Sequence, residues 1–426
     1  MPITVTSVAP LTGFVAGGLT ITITGSGFAD GLTVSFDGEP CLSVVVLNDT
    51  TATCVTPVFA AGAVDVAVSL GAETVRAPEN FIYKDFTQVS LLAGTDTPGF
   101  ADGAGDLAQF SEAINDFLLV GQDLVVTDGN NYRLRVVDLS GFQEPIIPSA
   151  FNVTTLAGNG AFGLVDSTDG TGGTASFVQP DDLELQGDLL VVTDVNWANP
   201  TGGAVRTVSL LTGETTSEID IVGYAGGALQ FVDGVLYMSE CGEAHRVVTV
   251  DLLLRTLSTF SGGPELGDAV GDAATTRFNC PYGLIPSLDG SALVVSDTLN
   301  NKLKVLQPSD GSSTLLAGEG TQGVVDGPAA TAQFSYPSKM TQLGNGYLVA
   351  DWTGCVLRHV NATTGETTTF AGNSQECGAD NGPLSSARFH QIGGVLYAPA
   401  YGIFVAPTNY GWATVPTGAG QIRLIH

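Results

Sequence analysis

One short pattern recurs along most of this chain: a hydrophobic strand that closes on a small residue and a glycine. The closing glycines are Gly94, Gly158, Gly226, Gly262, Gly318 and Gly372. The interval from Gly226 to Gly262 is the shortest of the series. Self-similarity of this kind predicts a fold in which each unit buries its faces against its neighbours.

Each interval holds the same elements in the same order. A polar loop ends in a phenylalanine, and an apolar strand, a strand ending in an acid, a strand carrying a base and a Thr-rich strand follow. The loop phenylalanines include Phe110, Phe177, Phe334 and Phe389. The strand-end acids are Asp128, Asp194, Glu240, Asp297 and Asp351. Four short antiparallel strands per unit predict the blade of a β-propeller.

The two ends of the repeat region are complementary. The chain enters it with a lone outer strand at residues 89–94 and leaves it with an inner strand at residues 421–426 that lacks an outer partner. Pairing of these two strands would close the ring and remove both sheet edges. We therefore predict six blades, over residues 88–426, closed by the first strand.

The repeat resembles the NHL repeat. The clearest copies are VVTDGNNYRLRVV at residues 125–137 and VVSDTLNNKLKVL at residues 294–306, together with the Phe loops and the Leu-Ala-Gly strand ends. The third unit lacks its Phe loop, and the sixth has Pro407 where the other units have an acid. The resemblance implies an NHL-type β-propeller.

The first 85 residues follow a different pattern. Alternating runs at residues 19–28, 32–38, 43–47 and 64–70, separated by turn residues, predict a small antiparallel sandwich. Residues 5–28, followed by VSFDGEPC and ATCVTP, resemble an IPT/TIG domain of immunoglobulin-like fold. The expected fold is therefore all-β: an IPT/TIG sandwich at residues 1–85, a short stiff linker, and the propeller.

The charge balance excludes one class of partner. The chain has 43 acids and 14 bases, for a net charge of −29. A field of that sign repels phosphate backbones, so we expect no nucleic-acid partner. A saline habitat, in which an acidic surface maintains solubility, explains the same composition equally well.

The cysteines and glycosylation motifs indicate an oxidising, extracellular or surface location, whether secreted, on a cell or on a virion. Cys41 and Cys54 lie where similar IPT/TIG domains carry a bridge. Cys241 with Cys280, and Cys355 with Cys377, are the other candidate pairs, although the sequence alone also allows other pairings or buried free thiols. Asn48, Asn152 and Asn361 begin glycosylation sequons.

No targeting segment is evident. Met1 and Pro2 begin no signal peptide and no apolar run is long enough to span a membrane, so we expect any signal or anchor to lie outside this sequence.

The bases of the repeat predict a structural role. One position of the third strand carries a base in every unit: Arg135, Arg206, Arg246, Lys304, Arg358 and Arg423. Five of them follow the strand-end acid at hairpin spacing, which predicts a charge-assisted pair in each blade. Asp102, Asp169 and Asp326 are interpreted as turn residues of the Phe loops. Calcium is the one ion these loops could hold, although none has the Asp/Asn spacing of a dedicated calcium loop. We predict no other cofactor.

Non-repeated aromatic residues mark the candidate binding surface. Trp197, Trp352 and Trp412 all lie in loops between second and third strands, with Tyr132 and Tyr410. These loops emerge on the same face as the Phe loops, which we call the long-loop face; the opposite face is the tight-turn face. Exposed aromatic rings offer a surface to a glycan or a surface protein, and the alternative is that each ring plugs the top of its own blade.

Catalysis has less support. Propellers of similar outline include lyases with His-bound zinc and lactonases with calcium in the central channel, and zinc needs about three converging ligands. Of the four histidines, His245 and His359 are expected on third strands and His426 is terminal, which leaves His390 as the channel candidate.

The sequence therefore favours a surface-displayed binding or adhesion protein. In this interpretation the sandwich is a spacer on the tight-turn face, and the long-loop face binds a glycan or a protein partner. The alternatives are a metal-dependent hydrolase or lyase that acts in the channel, and a structural part of a cell-surface or virion assembly.

Overall fold

The computed structural model describes residues 2–195, 203–221, 226–242, 244–408 and 420–426. These residues form two all-β units in succession, a sandwich and a six-bladed β-propeller. The fold class predicted from the sequence is confirmed.

The sandwich consists of eleven strands in three sheets, ordered β1-β3-β7-β6, β10-β9-β4-β5 and β2-β11-β8. The strands are β1 (Thr4–Ala9), β2 (Thr12–Phe14), β3 (Thr20–Ser26), β4 (Thr33–Phe36), β5 (Glu39–Pro40), β6 (Ser43–Asn48), β7 (Thr51–Val55), β8 (Gly62–Val64), β9 (Val66–Leu70), β10 (Glu73–Arg76) and β11 (Phe81–Lys84). Strand β3 alternates exposed threonines with fully buried Ile21 and Ile23, as a strand with one face on a core does. Phe36, Val68 and Phe81 complete the centre of that core.

The first two strands after the sandwich are β12 (Gln88–Ala93) and β13 (Gly103–Ala104). Blades one to three then follow in chain order. Their strands are β14 (Ile114–Val120), β15 (Asp123–Asp128), β16 (Arg133–Asp138), β17 (Asn152–Ala157); β18 (Pro180–Gln186), β19 (Leu189–Asp194), β20 (Gly203–Ser209), β21 (Thr215–Ile221); and β22 (Leu229–Val232), β23 (Val235–Glu240), β24 (Arg246–Asp251), β25 (Thr256–Gly262). Strand β13 extends blade one beyond β17.

Blades four to six complete the ring. Their strands are β26 (Pro281–Pro286), β27 (Leu293–Asp297), β28 (Lys302–Leu306), β29 (Ser313–Ala317); β30 (Pro337–Leu343), β31 (Gly346–Asp351), β32 (Val356–Asn361), β33 (Thr367–Gly372); and β34 (Gly382–Pro383), β35 (Ile392–Ala398), β36 (Gly402–Pro407), β37 (Ile422–Ile425). Short 3-10 helices occur at Gly129–Asn131, Pro148–Ala150, Gly172–Thr174, Thr298–Asn300 and Trp352–Gly354. Each inner strand contacts the inner strands of both neighbouring blades, so the six surround one central channel.

The ring closes as predicted. Strand β12, at the start of the repeat region, pairs antiparallel with β37 at its end, with Val89 opposite Ile425 and Leu91 opposite Arg423. The sheet of the last blade therefore runs β34-β12-β37-β36-β35. The closing strand gives the β36–β37 hairpin an outer partner, and β34 in turn covers Gln88 and Val89 at the start of β12.

The repeated base is the buried centre of each regular blade. In blade one, Arg135 donates to Asp128 at 2.8 Å and to Asp102 at 2.7 Å, and its guanidinium lies 5.0 Å from the centroid of the Phe110 ring. Arg206, Lys304 and Arg358 repeat this arrangement and, like Arg135, are 0% exposed. The acid, the base and the phenylalanine of the repeat are therefore one contact, which ties the Phe loop to the blade.

Blades three and six, whose sequences deviate from the repeat, also lack the regular contact of the buried base. In blade three, which lacks a Phe loop, Arg246 still pairs with Glu240, but its side chain is 32% exposed. In blade six, Pro407 replaces the acid, and Arg423 donates instead to Asn381 at 2.8 Å and to two backbone carbonyls. Burial lowers the pKa of Arg423 to about 10.

The turn residues differ in detail from the prediction. Asp102 and Asp326 lie in loop turns but also pair with the repeated base. In blade two that contact belongs to Asp166, which lies 3.1 Å from Arg206, whereas Asp169 accepts hydrogen bonds from Thr171 and Thr174.

The sandwich packs on the tight-turn face of the propeller. The ring of Phe14 stacks on Phe86 in the linker at a centroid distance of 4.6 Å, and Phe86 meets Phe370 of blade five edge-on at 5.8 Å. Tyr397 of blade six donates a hydrogen bond to the backbone carbonyl of Gly17 at 2.7 Å. These contacts join the sandwich to blades five and six.

The three cysteine pairs form disulfides in the structure: Cys41–Cys54, Cys241–Cys280 and Cys355–Cys377. The first lies within the sandwich, the second links blade three to the entry of blade four, and the third fastens the loop that leads from blade five to blade six. In the part of the chain described, no helix has the length and apolar character to span a membrane.

Removal of one buried base should be costly. We expect Arg358→Met to lower the free energy of unfolding by about 3–5 kcal/mol, because Asp351 would remain buried without its cation. The matched control is Arg388→Met, since Arg388 is 40% exposed and its ion pairs should contribute less than about 1 kcal/mol. Urea unfolding measures both variants, and equal losses would contradict a structural role of the buried base.

The disulfides can be tested by mass. The intact protein, analysed without reductant, should weigh about six hydrogens less than the fully reduced chain, since each bridge removes two. Alkylation of any cysteine in the unreduced, unfolded protein would show that its bridge is absent.

Candidate functional site

A cavity of about 580 Å³ lies where the central channel opens on the tight-turn face. Inner strands from all six blades contribute to its wall: β14, β18, β22, β26, β30 and β35. The sandwich supplies the remaining wall through Ala16, Gly17, Gly18 and Leu42. The cavity is therefore shared between the two units of the fold.

An ion pair across the channel forms the polar part of this cavity. Lys339 on β30 donates to the carboxylate of Asp182 on β18, and both side chains are about nine-tenths or more buried. The second oxygen of Asp182 accepts the backbone N–H of Leu229 at 2.6 Å, which bridges to blade three. Asp116 on β14 accepts the backbone N–H of Leu183 at 2.9 Å, which bridges blade one to blade two.

Two further side chains, Tyr282 and Asp181, extend the contacts of Lys339. The Nζ atom of Lys339 lies 5.2 Å from the centroid of the Tyr282 ring, within range of a cation–π interaction. The hydroxyl of Tyr282 donates to Asp181 at 2.9 Å. Because Asp181 and Asp182 are consecutive on a strand, their side chains point to opposite faces, and only Asp182 lines the cavity.

Burial sets the ionisation of this cluster. Burial and then the charge of Asp182 raise the pKa of Asp116 well above its ordinary value. Burial also raises the pKa of Asp182, although Lys339 opposes the shift. For Lys339, burial acts to lower the pKa, but the three carboxylates around it outweigh burial and raise it above its ordinary value. The lysine therefore stays charged, and protons are retained among the carboxyl groups.

Glu184 lies one step further toward the mouth on the same face of β18 as Asp182. Burial, with a contribution from the charge of Asp182, raises the pKa of Glu184 to about 8. Within the described ranges no Lys, Arg or His forms an ion pair with this carboxyl group. The cavity wall thus holds three carboxyl groups and one ammonium group.

The predicted aromatic surface is described in part. Trp352 lies in the 3-10 helix after β31, with its ring 6.3 Å from that of Tyr336, and Tyr132 follows the 3-10 helix after β15. Trp197, Tyr410 and Trp412 lie outside the described residues. The sequence did not single out Phe100 and Phe162, which are 43% and 59% exposed.

Phe100 and Phe162 extend the surface around Tyr132. The Phe162 ring meets Tyr132 edge-on at 5.6 Å, and the guanidinium of Arg133 lies 3.7 Å from the centroid of Phe100. Each of them precedes the buried phenylalanine of its Phe loop. A second aromatic residue in the loop is the sequence feature that could have indicated them.

The histidines do not gather in the channel. His390 lies beside Phe389 and Pro407 and does not line the cavity. His245 precedes β24 rather than lying on it and accepts the N–H of Cys280 at 3.2 Å, whereas His359 lies on β32 as expected. In the described part of the chain no three His, Cys, Asp or Glu side chains converge as metal ligands would.

The sequence analysis missed the residues of the cavity. Asp116, Asp182 and Lys339 occupy equivalent positions of their inner strands, each two residues after the residue that pairs with the strand-end acid. The residue type at this position differs from blade to blade, so the repeat pattern did not mark it. Lys339 is also among the few bases that stand apart from the third strands. Their common signal is a charged side chain on an inner strand, which in a propeller faces the channel.

The sequence and the structure both match known proteins. Residues 2–83 match the family model described as IPT/TIG domain, which confirms the predicted nature of the sandwich. The chain is 27% identical over 302 residues to "Protein SUPPRESSOR OF QUENCHING 1, chloroplastic" of Arabidopsis thaliana. That alignment covers 63% of this chain and 26% of the length of the plant protein.

Solved structures share the whole two-unit architecture. A Bacteroides thetaiotaomicron protein of unknown function superposes with a TM-score of 0.64 at 19% identity, covering 99% of this chain and 97% of that one. An auxiliary nutrient binding protein from Bacteroides ovatus superposes with a TM-score of 0.58 at 17% identity, covering 100% of this chain and 98% of that one. At these identities the likeness shows the fold alone: a sandwich followed by a propeller.

The ionisation of Glu184 gives a pH-dependent prediction. Its pKa is raised from 4.5 to about 8 in the folded protein, so between these values the unfolded chain has lost a proton that the folded protein keeps. This group therefore lowers stability as the pH rises through that window. Glu184→Gln, which cannot ionise, should gain melting temperature relative to the wild type between about pH 5 and about pH 8.

Asp188→Asn is the control, because Asp188 is an exposed acid in the turn after β18. Thermal unfolding followed by circular dichroism at the two pH values measures the difference. A difference between Glu184→Gln and the wild type that is the same at both pH values would contradict the assigned ionisation.

Proposed function

We propose that this protein is an extracellular binding protein that holds a small hydroxyl-rich ligand, such as the end of a glycan, in the cavity between the sandwich and the channel. The observation that carries the proposal is the cavity of about 580 Å³ walled by all six inner strands and by the sandwich. Its volume falls in the range of small-molecule sites, roughly 300–1,000 Å³.

The lining of the cavity supports this class of ligand. Apolar residues of the inner strands, such as Leu284 and Met340, alternate with a few polar groups that converge on one space. Carboxyl groups and the side-chain amide of Gln230 can accept and donate hydrogen bonds to hydroxyl groups. Tyr397 at the rim offers an aromatic ring against which a sugar can pack.

The arrangement of the two units also supports a binding role. The sandwich is fastened at the mouth by the Phe14–Phe86 stack and by the hydrogen bond from Tyr397 to Gly17, so its part of the wall is preformed. A preformed wall reduces the entropy lost when a ligand binds. The Bacteroides ovatus protein with the same two units over its whole length is named as an auxiliary nutrient binding protein.

An extracellular location agrees with the covalent chemistry. Three disulfides persist best in an oxidising compartment. The sequons at Asn48 and Asn152 have exposed asparagines, and Asn361 lies at the turn between β32 and β33. We propose these asparagines as glycosylation sites.

The long-loop face is the second candidate, as the surface for a glycan or a protein partner. The observation that favours it is the two exposed rings of Phe100 and Phe162. Phe162 contacts the partly buried Tyr132, and Phe100 contacts the guanidinium of Arg133. Aromatic and arginine side chains are the residues that most often anchor protein interfaces. In that case Trp352 would belong to the same surface.

Obstruction of the mouth should weaken binding. Leu42→Trp enlarges a side chain at the cavity rim, and we expect affinity for any monosaccharide or oligosaccharide that stabilises the wild type to fall at least about tenfold. Leu47→Trp is the matched control, because Leu47 lies on the same sandwich, is 59% exposed against 66% for Leu42, and does not line the cavity.

The measurement is a sugar panel read by the shift in melting temperature, followed by calorimetry of the sugars that bind. A panel with no stabilising sugar would contradict the proposal. If the affinity is unchanged in Leu42→Trp but reduced in Trp352→Ala, the ligand binds the long-loop face instead.

A further inference from the structure

Among the described residues of the cavity wall, the Glu184 carboxyl group is the one that no cation stabilises, since Lys339 acts on both Asp116 and Asp182. Glu184 lines the cavity from β18, is mostly buried, and accepts a hydrogen bond from the backbone N–H of Leu185, but it forms no ion pair with any residue that the structure describes. Carboxyl groups that are mostly buried are normally paired or hydrogen-bonded, because removing their charge from water is costly. Glu184 faces the cavity and has no cation from the described residues. A positively charged group of a ligand in the cavity could therefore pair with it.

The other charged groups of the cavity do not fill this role. Lys339, on β30, is committed to Asp182 across the channel and to the ring of Tyr282. Asp116, on β14, and Asp182 are carboxyl groups themselves and provide no cation. The strands β22, β26 and β35 and the sandwich segments contribute no charged side chain to the lining. The cavity therefore has an excess of carboxyl groups over cations.

We propose that the cavity selects ligands that carry a positively charged nitrogen, such as amino sugars, and that Glu184 is the counter-ion of that nitrogen. This inference rests on the proposed function and specifies the class of ligand. Most of the Glu184 side chain is buried, and a lower local dielectric constant strengthens an ion pair made there. A neutral hydroxyl group at the same position could form a hydrogen bond with the carboxyl group but would bring no opposite charge.

The empty and occupied states differ by a proton. With its pKa raised to about 8, Glu184 carries a proton at neutral pH in the empty cavity. An ammonium group beside it favours the carboxylate, so binding should release the proton of Glu184 to solvent while the ammonium keeps its own. Protonation of the buffer then contributes to the measured heat.

The test uses D-glucosamine and D-glucose, which differ by an ammonium group in place of one hydroxyl group. Calorimetry at about pH 6.5, where the amine is charged, should show glucosamine binding about tenfold more tightly than glucose to the full-length protein. Glu184→Gln should bring the two affinities together, while Asp188→Asn, which removes an exposed acid next to the same strand, should retain the preference. Titrations in phosphate and in PIPES, two buffers of net negative charge that differ in ionisation enthalpy, should differ in heat for the wild type and agree for Glu184→Gln.

Several outcomes would overturn the inference. Equal affinities for the two sugars in the wild type, or a preference for glucosamine that survives Glu184→Gln, would each do so. Stabilisation of the protein by Ca²⁺ alone, lost in Glu184→Gln, would assign the carboxylate to a metal ion instead.

Failure of this inference can be told apart from failure of the proposed function. Binding of glucose or other neutral sugars that is weakened by Leu42→Trp, with no gain from an amino group, would retain the cavity as the binding site and reject the cationic ligand.

Discussion

A buried cation held between two carboxylates and a phenylalanine ring is the interaction on which the propeller depends. Arg206 and Arg358 are fully buried, and an isolated guanidinium in that position would be strongly destabilising. The two terminal nitrogens of each guanidinium donate to the strand-end acid, to an acid of the Phe loop and to backbone carbonyls of that loop. The same contact thus holds the second and third strands together and fastens the connection between successive blades.

This buried contact places no constraint on the channel-facing residues of the inner strands, so these residues can differ from blade to blade. It acts on the second and third strands and on the long-loop face, so the side chains that face the channel are not required by the repeat. Asp182 and Lys339 are additions of that kind, and they join blades two and five directly across the ring. The scaffold is therefore set by a repeated interaction, whereas the cavity is built from residues that occur once.

The sandwich partly covers one end of the central channel. An open propeller channel exposes its contents to water at both ends, but here Gly17 and Leu42 of the sandwich border the mouth on the tight-turn face. The aromatic stack between Phe14 and Phe86 fixes this position through a linker too short to permit wide movement. A ligand in the cavity would therefore contact both units of the fold.

The sequence by itself determined the strands, the number of blades and the closing strand, because each depends on alternation with period two or on spacing within a repeat. It offered the three cysteine pairs as candidates, and the structure decided among the pairings. Only the tertiary structure decided the candidate site. Asp182 and Lys339 are 157 residues apart, and Leu42 belongs to the other unit. Strand alternation indicates which side chains face the channel, but which of them meet across it depends on the closure of the ring and the docking of the sandwich. Those are long-range contacts that no local pattern encodes.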